Sequence, residues 1–263
     1  MSKKMIFFDV DGTITQDITF RIPDSTPVAL QKAHENGHLL FVNTGRTFCA
    51  VDKAVRALPF DGFVTGCGTY IYYHGQQILA NPLPGELCRE IVQYLRQWKI
   101  PVFYEGNDDL YFDPENPTPQ WKYDLYLKNY KKDSFTHIDL ETSFVFDKFM
   151  LYPTDDSDME AFLQYAEGKF TVIDRGSRMY EIIQAPFSKA TGIQFLIDRL
   201  GIPLEDCYVI GDSTNDLPML TYVPGSIAMG NSMKEILPYC SYQTTDIMDD
   251  GIYHALAHFG MID

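Results

Sequence analysis

Basic residues are scarce in this 263-residue chain: 21 Lys and Arg stand against 36 Asp and Glu, a formal charge of −15, and the isoelectric point is about 4.7. Such an acidic surface repels a nucleic-acid backbone and an anionic membrane, so neither is expected as a main partner. An anionic ligand must therefore be drawn in by a local cation and not by the field of the whole molecule. Cysteine is sparse too. Cys49, Cys67, Cys88, Cys207 and Cys240 are scattered, odd in number and form no C-x-x-C pair, which argues against a disulfide framework and for a reducing cytoplasm. No run of about 18 apolar residues occurs, so no transmembrane helix is expected. Asp9 interrupts the apolar stretch behind Met1-Ser2-Lys3-Lys4 at once, and no signal peptide is expected. Internal repeats, low-complexity tracts and long charge blocks are missing. Apolar content of 45% and aromatic content of 14% suffice for a core. At roughly 150 residues per domain, the length predicts one large or two modest domains.

What is present is most informative at Met5-Ile6-Phe7-Phe8-Asp9-Val10-Asp11-Gly12-Thr13. Four apolar residues predict a buried strand that ends directly in two carboxylates at i and i+2. Alternate side chains of an extended segment point the same way, so Asp9 and Asp11 are expected to face one small volume at the strand's C-terminal end, where open α/β sheets place their ligands. Two carboxylates there raise each other's pKa or call for a cation. The alternative is a polar turn, since Asp-Gly is a strong turn signal. An EF-hand start does not fit, because its glycine is the sixth loop position and Gly12 is the fourth counted from Asp9.

A strand–helix rhythm follows. Residues 27–36 read as a helix closed by Gly37, and 38–42 as a strand ending in Asn43-Thr44-Gly45-Arg46. A helix is expected through Ala50, Val51, Ala54, Val55 and Leu58, a strand at 63–65, and a hairpin over 70–79 turning at His74-Gly75. This alternation predicts an α/β fold with a doubly wound, mainly parallel sheet. From about residue 83 to 185 the order becomes mixed and predicts an inserted α+β domain. Helices are expected at 86–98, 121–130 and 159–167, and strands within 101–112, at 148–152, 170–174 and 179–184. Tyr104, Tyr111, Trp121 and Tyr123 are read there as packing residues. The α/β rhythm resumes with a helix at 189–200 ended by Gly201, a strand at 207–210 running into Gly211-Asp212-Ser213-Thr214-Asn215-Asp216, a strand at 227–230, a helix at 232–237 and a last helix after Asp250-Gly251-Ile252.

Each chemically loaded segment sits after an apolar strand or at a helix start: Asp9-x-Asp11, Thr44-Gly45-Arg46, Lys189 and Gly211-Asp212-x-x-Asn215-Asp216. Individually, Thr44 serves as a helix cap, Lys189 as a solvated helix residue, and Asp212 with Asn215 as a capping pair. Jointly, three carboxylates, a hydroxyl and a lysine converging on one sheet edge are hard to explain by folding alone. At these residues the sequence resembles the haloacid dehalogenase superfamily, in its Cof-type sugar-phosphatase-like branch. The first motif, D-x-D-G-T, stands as Asp9-Val10-Asp11-Gly12-Thr13. The second, a Ser or Thr after a strand, stands as Thr44, and the third, a lysine opening a helix, as Lys189. The fourth, G-D-x-x-N-D, stands as Gly211-Asp212-Ser213-Thr214-Asn215-Asp216. Ala228-Met229-Gly230-Asn231-Ser232 and Asp250-Gly251-Ile252 also resemble the branch. One segment departs: where the branch has an Asn-Gly-Ala-like stretch after its third strand, this chain has Gly66-Cys67-Gly68. That removes a side-chain amide from near the site, and no binding role is carried over there.

The resemblance implies a Rossmann-like catalytic core over residues 1–82 and 186–263, with an inserted cap domain over 83–185 that supplies specificity. It implies a cytoplasmic, Mg²⁺-dependent phosphomonoester hydrolase of a small phosphorylated metabolite, a sugar phosphate by class. Asp9 is then the nucleophile and Asp11 the general acid and base. Asp9, Asp212 and the Asp11 carbonyl hold Mg²⁺, with Asp216 as an outer-shell or direct ligand. Thr44, Gly45 and Lys189 bind the phosphoryl oxygens, and Asn215 and Arg46 are further substrate contacts. Arg175, Arg178 and Tyr180 are candidates from the insert, with ordinary surface or packing roles as the alternative. A phosphomutase of the same superfamily and a non-catalytic phospho-ligand sensor remain the other readings. Oligomeric state has no signature in the sequence.

Overall fold

A computed structural model of the chain describes residues 3–17, 19–130, 132 and 134–263. Met1 and Ser2, where the stretch read as free of a signal peptide begins, lie outside the described residues. Two compact units partition the molecule, one of Met1–Gly45, Lys53–Leu79 and Ser188–Asp263, the other of Arg46–Asp52 and Ala80–Phe187. In chain order the first unit opens with β1 (Met5–Phe8), α1 (Ser25–Glu35), β2 (Leu39–Asn43), the short α2 (Lys53–Arg56), β3 (Gly62–Thr65), β4 (Tyr70–Tyr73) and β5 (Gln76–Ala80). The second unit holds α3 (Gly85–Gln97), β6 (Val102–Glu105), β7 (Leu110–Phe112), α4 (Gln120–Tyr130), β8 (Thr136–His137), β9 (Lys148–Leu151), α5 (Met159–Ala166), β10 (Phe170–Asp174) and β11 (Tyr180–Gln184). The first unit resumes with α6 (Lys189–Leu200), β12 (Cys207–Gly211), α7 (Leu217–Tyr222), β13 (Gly225–Ala228), β14 (Tyr242–Gln243) and α8 (Gly251–His258).

The first unit is built on an eight-stranded sheet in the order β14-β13-β12-β1-β2-β3-β4-β5. Parallel pairing runs from β14 to β3, and β4 joins antiparallel. The fold is therefore α/β with a mainly parallel sheet, as expected. β1 lies between β2 and β12, paired in parallel to both, and all four of its residues are buried. A strand covered on both faces reads as an unbroken apolar run, which is why Met5-Ile6-Phe7-Phe8 shows no alternation. Met5, Phe7, Phe41, Val64, Ile193, Leu196, Val209 and Leu220 meet in one core cluster.

The second unit carries a six-stranded sheet in the order β10-β11-β9-β6-β7-β8, antiparallel except where β7 meets β8. Tyr104, Phe146, Phe149 and Phe162 pack on one face of it with Cys88, Ile91 and Leu95 of α3. Phe103, Leu110, Tyr126 and Tyr152 form a second cluster that also takes in Ala50.

Four expectations are corrected. The helix expected through residues 50–58 is a 3-10 turn at Phe48–Ala50 and the four-residue α2. Val51 between them is extended, at ψ 123°, because Ala50 is drawn into the apolar cluster with Phe103 and Tyr126. The same segment, Arg46–Asp52, groups with the second unit, so Arg46 does not belong to the core as its motif suggested. The helix expected at 232–237 is a 3-10 segment, Lys234–Tyr239, with Pro238 inside it. A proline has no N–H for an i→i−4 bond and clashes with the preceding turn. Trp121, read as a packing residue, is 61% exposed. Among the described residues, no helix is long and apolar enough to cross a membrane.

Candidate active site

The parallel strands of the first unit deliver their following residues to one edge. The Asp9 N–H donates to the Ile210 carbonyl at 3.0 Å, so the ladder between β1 and β12 extends as far as the first carboxylate. The chain then turns tightly. The Val10 carbonyl accepts from the N–H groups of Thr13, Ile14 and Thr15 at 3.3, 2.9 and 2.9 Å. Gly12 sits in that turn at φ +77°, and a Cβ there would lie 2.3 Å from Asp212 Oδ2. Only glycine serves both demands, a left-handed backbone and a carboxylate against the main chain. Gly211, the last residue of β12, makes a similar concession: a Cβ there would lie 2.5 Å from Asp216 Oδ2.

Lys189 is the first residue of α6. Ser188 caps that helix in a reciprocal capping box with Thr191: the Ser188 hydroxyl accepts from the Thr191 N–H at 3.2 Å, and the Thr191 hydroxyl oxygen accepts from the Ser188 N–H at 2.9 Å. A cation at a helix N-terminus opposes the macrodipole, so helix stability does not explain the lysine. Its side chain does. Lys189 is buried, and its Nζ donates to Asp9 Oδ1 at 2.5 Å and to Asp216 Oδ1 at 2.5 Å. The helix start is tethered to β2 by Asn43, whose Nδ2 donates to the Lys189 carbonyl at 3.0 Å.

Asp9, Asp212 and Asp216 each offer a carboxylate oxygen, and these atoms lie within 4.8 Å of one another. All three residues are buried. Burial, then the Asp216 charge, push the Asp9 carboxyl up to about 7 against the opposing pull of Lys189. Burial, then the charges of Asp9 and Asp216, push Asp212 up to about 9. Burial disfavours the Lys189 ammonium, but the charges of Asp216 and Asp9 outweigh it and raise its pKa. Three carboxylates facing one ammonium make a volume that is short of positive charge.

The donor atoms fit a cation. Asp212 Oδ1 is buried with no hydrogen-bond partner, and a buried polar atom without a partner costs free energy. Asp216 is already engaged: Oδ1 accepts from Lys189, and Oδ2 from the N–H groups of Asp212 and Ser213 at 2.9 and 3.2 Å. Asp9 and Asp212 are thus the more available carboxylates, and an all-oxygen donor set suits a hard divalent ion.

The remaining residues marked by sequence fall as follows. Asp11 is half-buried in the turn and bridges to Thr15. Thr44 is buried directly after β2; its N–H donates to the Val64 carbonyl at 2.9 Å and its carbonyl accepts from Cys67 N–H at 3.2 Å. Gly45 follows it. Asn215 Oδ1 accepts from the Ser213 hydroxyl at 2.6 Å. Arg46 lies in the other unit, donating to the Ala50 carbonyl at 3.1 Å and pairing with Asp52 at 3.6 Å. In that unit Arg175 is 3.8 Å from Glu181, and Arg178 pairs with Asp155 at 2.6 Å where both are exposed. Tyr180 packs against the core of its own sheet. Sequence reasoning passed over Asn43 as a tether. It also assigned no task to Asn231, whose Nδ2 donates to the Gly12 carbonyl at 2.8 Å while its Oδ1 accepts from Ile247 N–H at 3.0 Å.

This combination of sheet edge, lysine and carboxylates has a known home. A family model described as haloacid dehalogenase-like hydrolase matches residues 6–256. The chain belongs to that family and is a phosphatase of its superfamily. It is 28% identical over 265 residues to the protein YkrA of Bacillus subtilis (strain 168), covering all of both chains. It is 27% identical over 248 residues to the pyridoxal phosphate phosphatase YbhA of Escherichia coli (strain K12), covering 88% of this chain and 89% of that one. Among solved structures it matches a protein from Geobacillus kaustophilus HTA426 with a TM-score of 0.84 at 24% identity, and the subclass IIB sugar phosphatase BT4131 with a TM-score of 0.82 at 24% identity. Both matches cover 99% of this chain and 100% of the other.

Proposed function

We propose that the chain is a Mg²⁺-dependent phosphomonoester hydrolase that works through an aspartyl-phosphate on Asp9 and acts on a small phosphorylated metabolite, a sugar phosphate by class. The observation that carries this reading is the contact of Lys189 Nζ with Asp9 Oδ1 at 2.5 Å beside the unpartnered Asp212 Oδ1. One carboxylate is thereby held next to an ammonium that can take a phosphoryl oxygen, and another is left open to a cation. A phosphomonoester is doubly negative near neutral pH, so a carboxylate nucleophile reaches it only where charge is neutralised and alignment is fixed. Asp9, Asp212 and the Asp11 carbonyl would hold Mg²⁺, with Asp216 behind them; the ion supplies charge neutralisation at the phosphoryl group.

The chain's own residues do the rest. Lys189, the Thr44 hydroxyl and the Gly45 N–H bind the phosphoryl oxygens, and Asn215 adds a substrate contact. An Asp9 oxygen attacks phosphorus. The bond from phosphorus to the ester oxygen breaks as Asp11 gives that oxygen a proton. Asp11 then takes a proton from water, which attacks the aspartyl-phosphate, frees orthophosphate and restores Asp9. Arg46 is left out of the phosphoryl-binding set, because its guanidinium pairs with Asp52 and donates to the Ala50 carbonyl. Catalysis is assigned to residues 1–82 and 186–263 and substrate choice to 83–185. The pyridoxal phosphate phosphatase relative supports the coarser class, a small phosphorylated metabolite, and the sugar phosphatase among the similar structures supports the narrower one. Five cysteines with no disulfide among them support a reducing, cytoplasmic setting.

The test is phosphate release from a panel of phosphorylated metabolites. Turnover is expected with Mg²⁺, none with EDTA, and a loss of about three orders of magnitude or more in Asp9→Asn. Equal turnover in EDTA, or an Asp9→Asn enzyme as fast as the wild type, overturns the mechanism.

A further inference from the structure

Gly66, Cys67 and Gly68 all lie in the left-handed region, at φ +58°, +56° and +96°. Three such residues in a row are unusual, and Cys67 carries a Cβ that disfavours the conformation. Glycine at 67 would relieve that penalty, so the turn is held in shape by what surrounds it. Its contacts are specific. Cys67 N–H donates to the Thr44 carbonyl at 3.2 Å. The Gly66 carbonyl accepts from the Thr69 hydroxyl at 3.0 Å. A Cβ on Gly68 would lie 2.5 Å from the Ser188 carbonyl and 3.2 Å from Thr191 Oγ1, both at the capped start of α6. The main chain of Gly68 therefore rests directly on the helix end that carries Lys189. One turn further along the same face, a Cβ on Gly192 would lie 2.4 Å from Val64 Cγ1 and 3.5 Å from Gly68 Cα, so α6 is packed closely on β3 and on the turn.

We propose that the turn at Gly66-Cys67-Gly68 is a positioning element that sets the distance between Thr44 and Lys189. Its middle residue, Cys67, is hydrogen-bonded to the Thr44 carbonyl, and its last, Gly68, is packed against Ser188, the residue before Lys189. Both contacts reach the proposed phosphoryl-binding residues, Thr44 directly and Lys189 through Ser188, so the turn acts on the phosphoryl-binding side of the site. The inference rests on the proposed phosphoryl-binding roles of Thr44 and Lys189. It also accounts for the departure of this segment from the branch pattern: its task is carried by backbone conformation, for which a side-chain amide is not needed.

The experiment compares two glycine-to-alanine variants. Gly68→Ala adds a methyl against the Ser188 carbonyl. Gly75→Ala adds the same methyl to a glycine at φ +75° with nothing within 4 Å, so it carries the left-handed strain without the contact. Binding of inorganic orthophosphate and of Mg²⁺ is measured by calorimetry, alongside kcat, KM and thermal stability. Gly68→Ala is expected to weaken orthophosphate binding and to lower kcat/KM by tenfold or more, with Mg²⁺ affinity within about twofold of wild type. Gly75→Ala is expected to lose stability only. Should Gly68→Ala fail to fold, Cys67→Gly serves in its place: it loosens the turn, and is expected to raise KM while thermal stability holds or rises. Wild-type orthophosphate affinity and kcat/KM in Gly68→Ala, or equal effects in Gly68→Ala and Gly75→Ala, overturn the positioning role. A wild type that neither binds orthophosphate nor hydrolyses any ester overturns the phosphatase mechanism instead, so the two failures are distinct.

Discussion

Removing the Lys189 ammonium leaves Asp9 and Asp216 buried and facing each other without a cation. Breaking a buried pair by deleting one partner costs about 3–5 kcal/mol, so Lys189→Met is expected to lose that much stability by urea denaturation in EDTA. Added Mg²⁺ is expected to restore more stability to the variant than to the wild type, because the ion then offsets charge the lysine no longer does; equal stabilisation of both counts against the shared charge cluster. At this scale the sequence was readable where chemistry sits at a strand end or a helix start. Asp9, Asp212 and Lys189 follow directly on β1, on β12 and on the Ser188 cap. It was not readable where a side chain bonds to a backbone atom far along the chain. Asn43 reaches the Lys189 carbonyl and Asn231 the Gly12 carbonyl, and neither partner leaves a trace in residue type or spacing.

Helix α6 opens with Lys189, the proposed phosphoryl-binding cation. Its cap is a pair of reciprocal bonds between Ser188 and Thr191. Loss of an N-cap hydroxyl costs about 1 kcal/mol, so Ser188→Ala is expected to unfold at slightly lower urea and to show a raised KM with little change in Mg²⁺ affinity. A variant with unchanged KM would mean that the cap serves the fold alone. Elements were legible in proportion to how far local pattern decided them. The helix expected at 189–200 matches α6 end to end because Ser188 and Gly201 mark both of its limits. The two-residue strands β8 and β14 escaped notice, since two residues show no periodicity. The helix expected through 50–58 broke because tertiary burial of Ala50 overrode a weak helical preference.

For the whole molecule, the carboxylate cluster sets how stability responds to pH. Asp9 and Asp212 have folded-state values of about 7 and about 9, above the ordinary carboxylate range expected in the unfolded chain. Between the unfolded and folded values the folded protein binds more protons, so its stability falls as pH rises. The Lys189 contribution has its own window: it is fully present below the ordinary lysine range and is lost only as pH rises through the elevated folded value. Denaturation in EDTA at pH 5, 7 and 9 is therefore expected to give steadily lower midpoints, and saturating Mg²⁺ is expected to flatten the trend by favouring the ionised carboxylates. A midpoint in EDTA that rises from pH 5 to 9 would contradict the charge deficit. The order of strands has a consequence for synthesis on the ribosome. β1 is central in its sheet, yet one of its two partners, β12, begins at Cys207. The nascent chain thus emerges with Asp9 and Thr44 early, while Lys189 and Asp212 arrive after the whole stretch Ala80–Phe187 has been made. Domains fold as units while the chain is elongating, so the inserted unit has most of its sequence in hand before the first sheet can close. A truncated product that ends before β12 carries Asp9, Thr44 and Lys189 but neither Asp212 nor Asp216, so prematurely released chains lack two of the three clustered carboxylates.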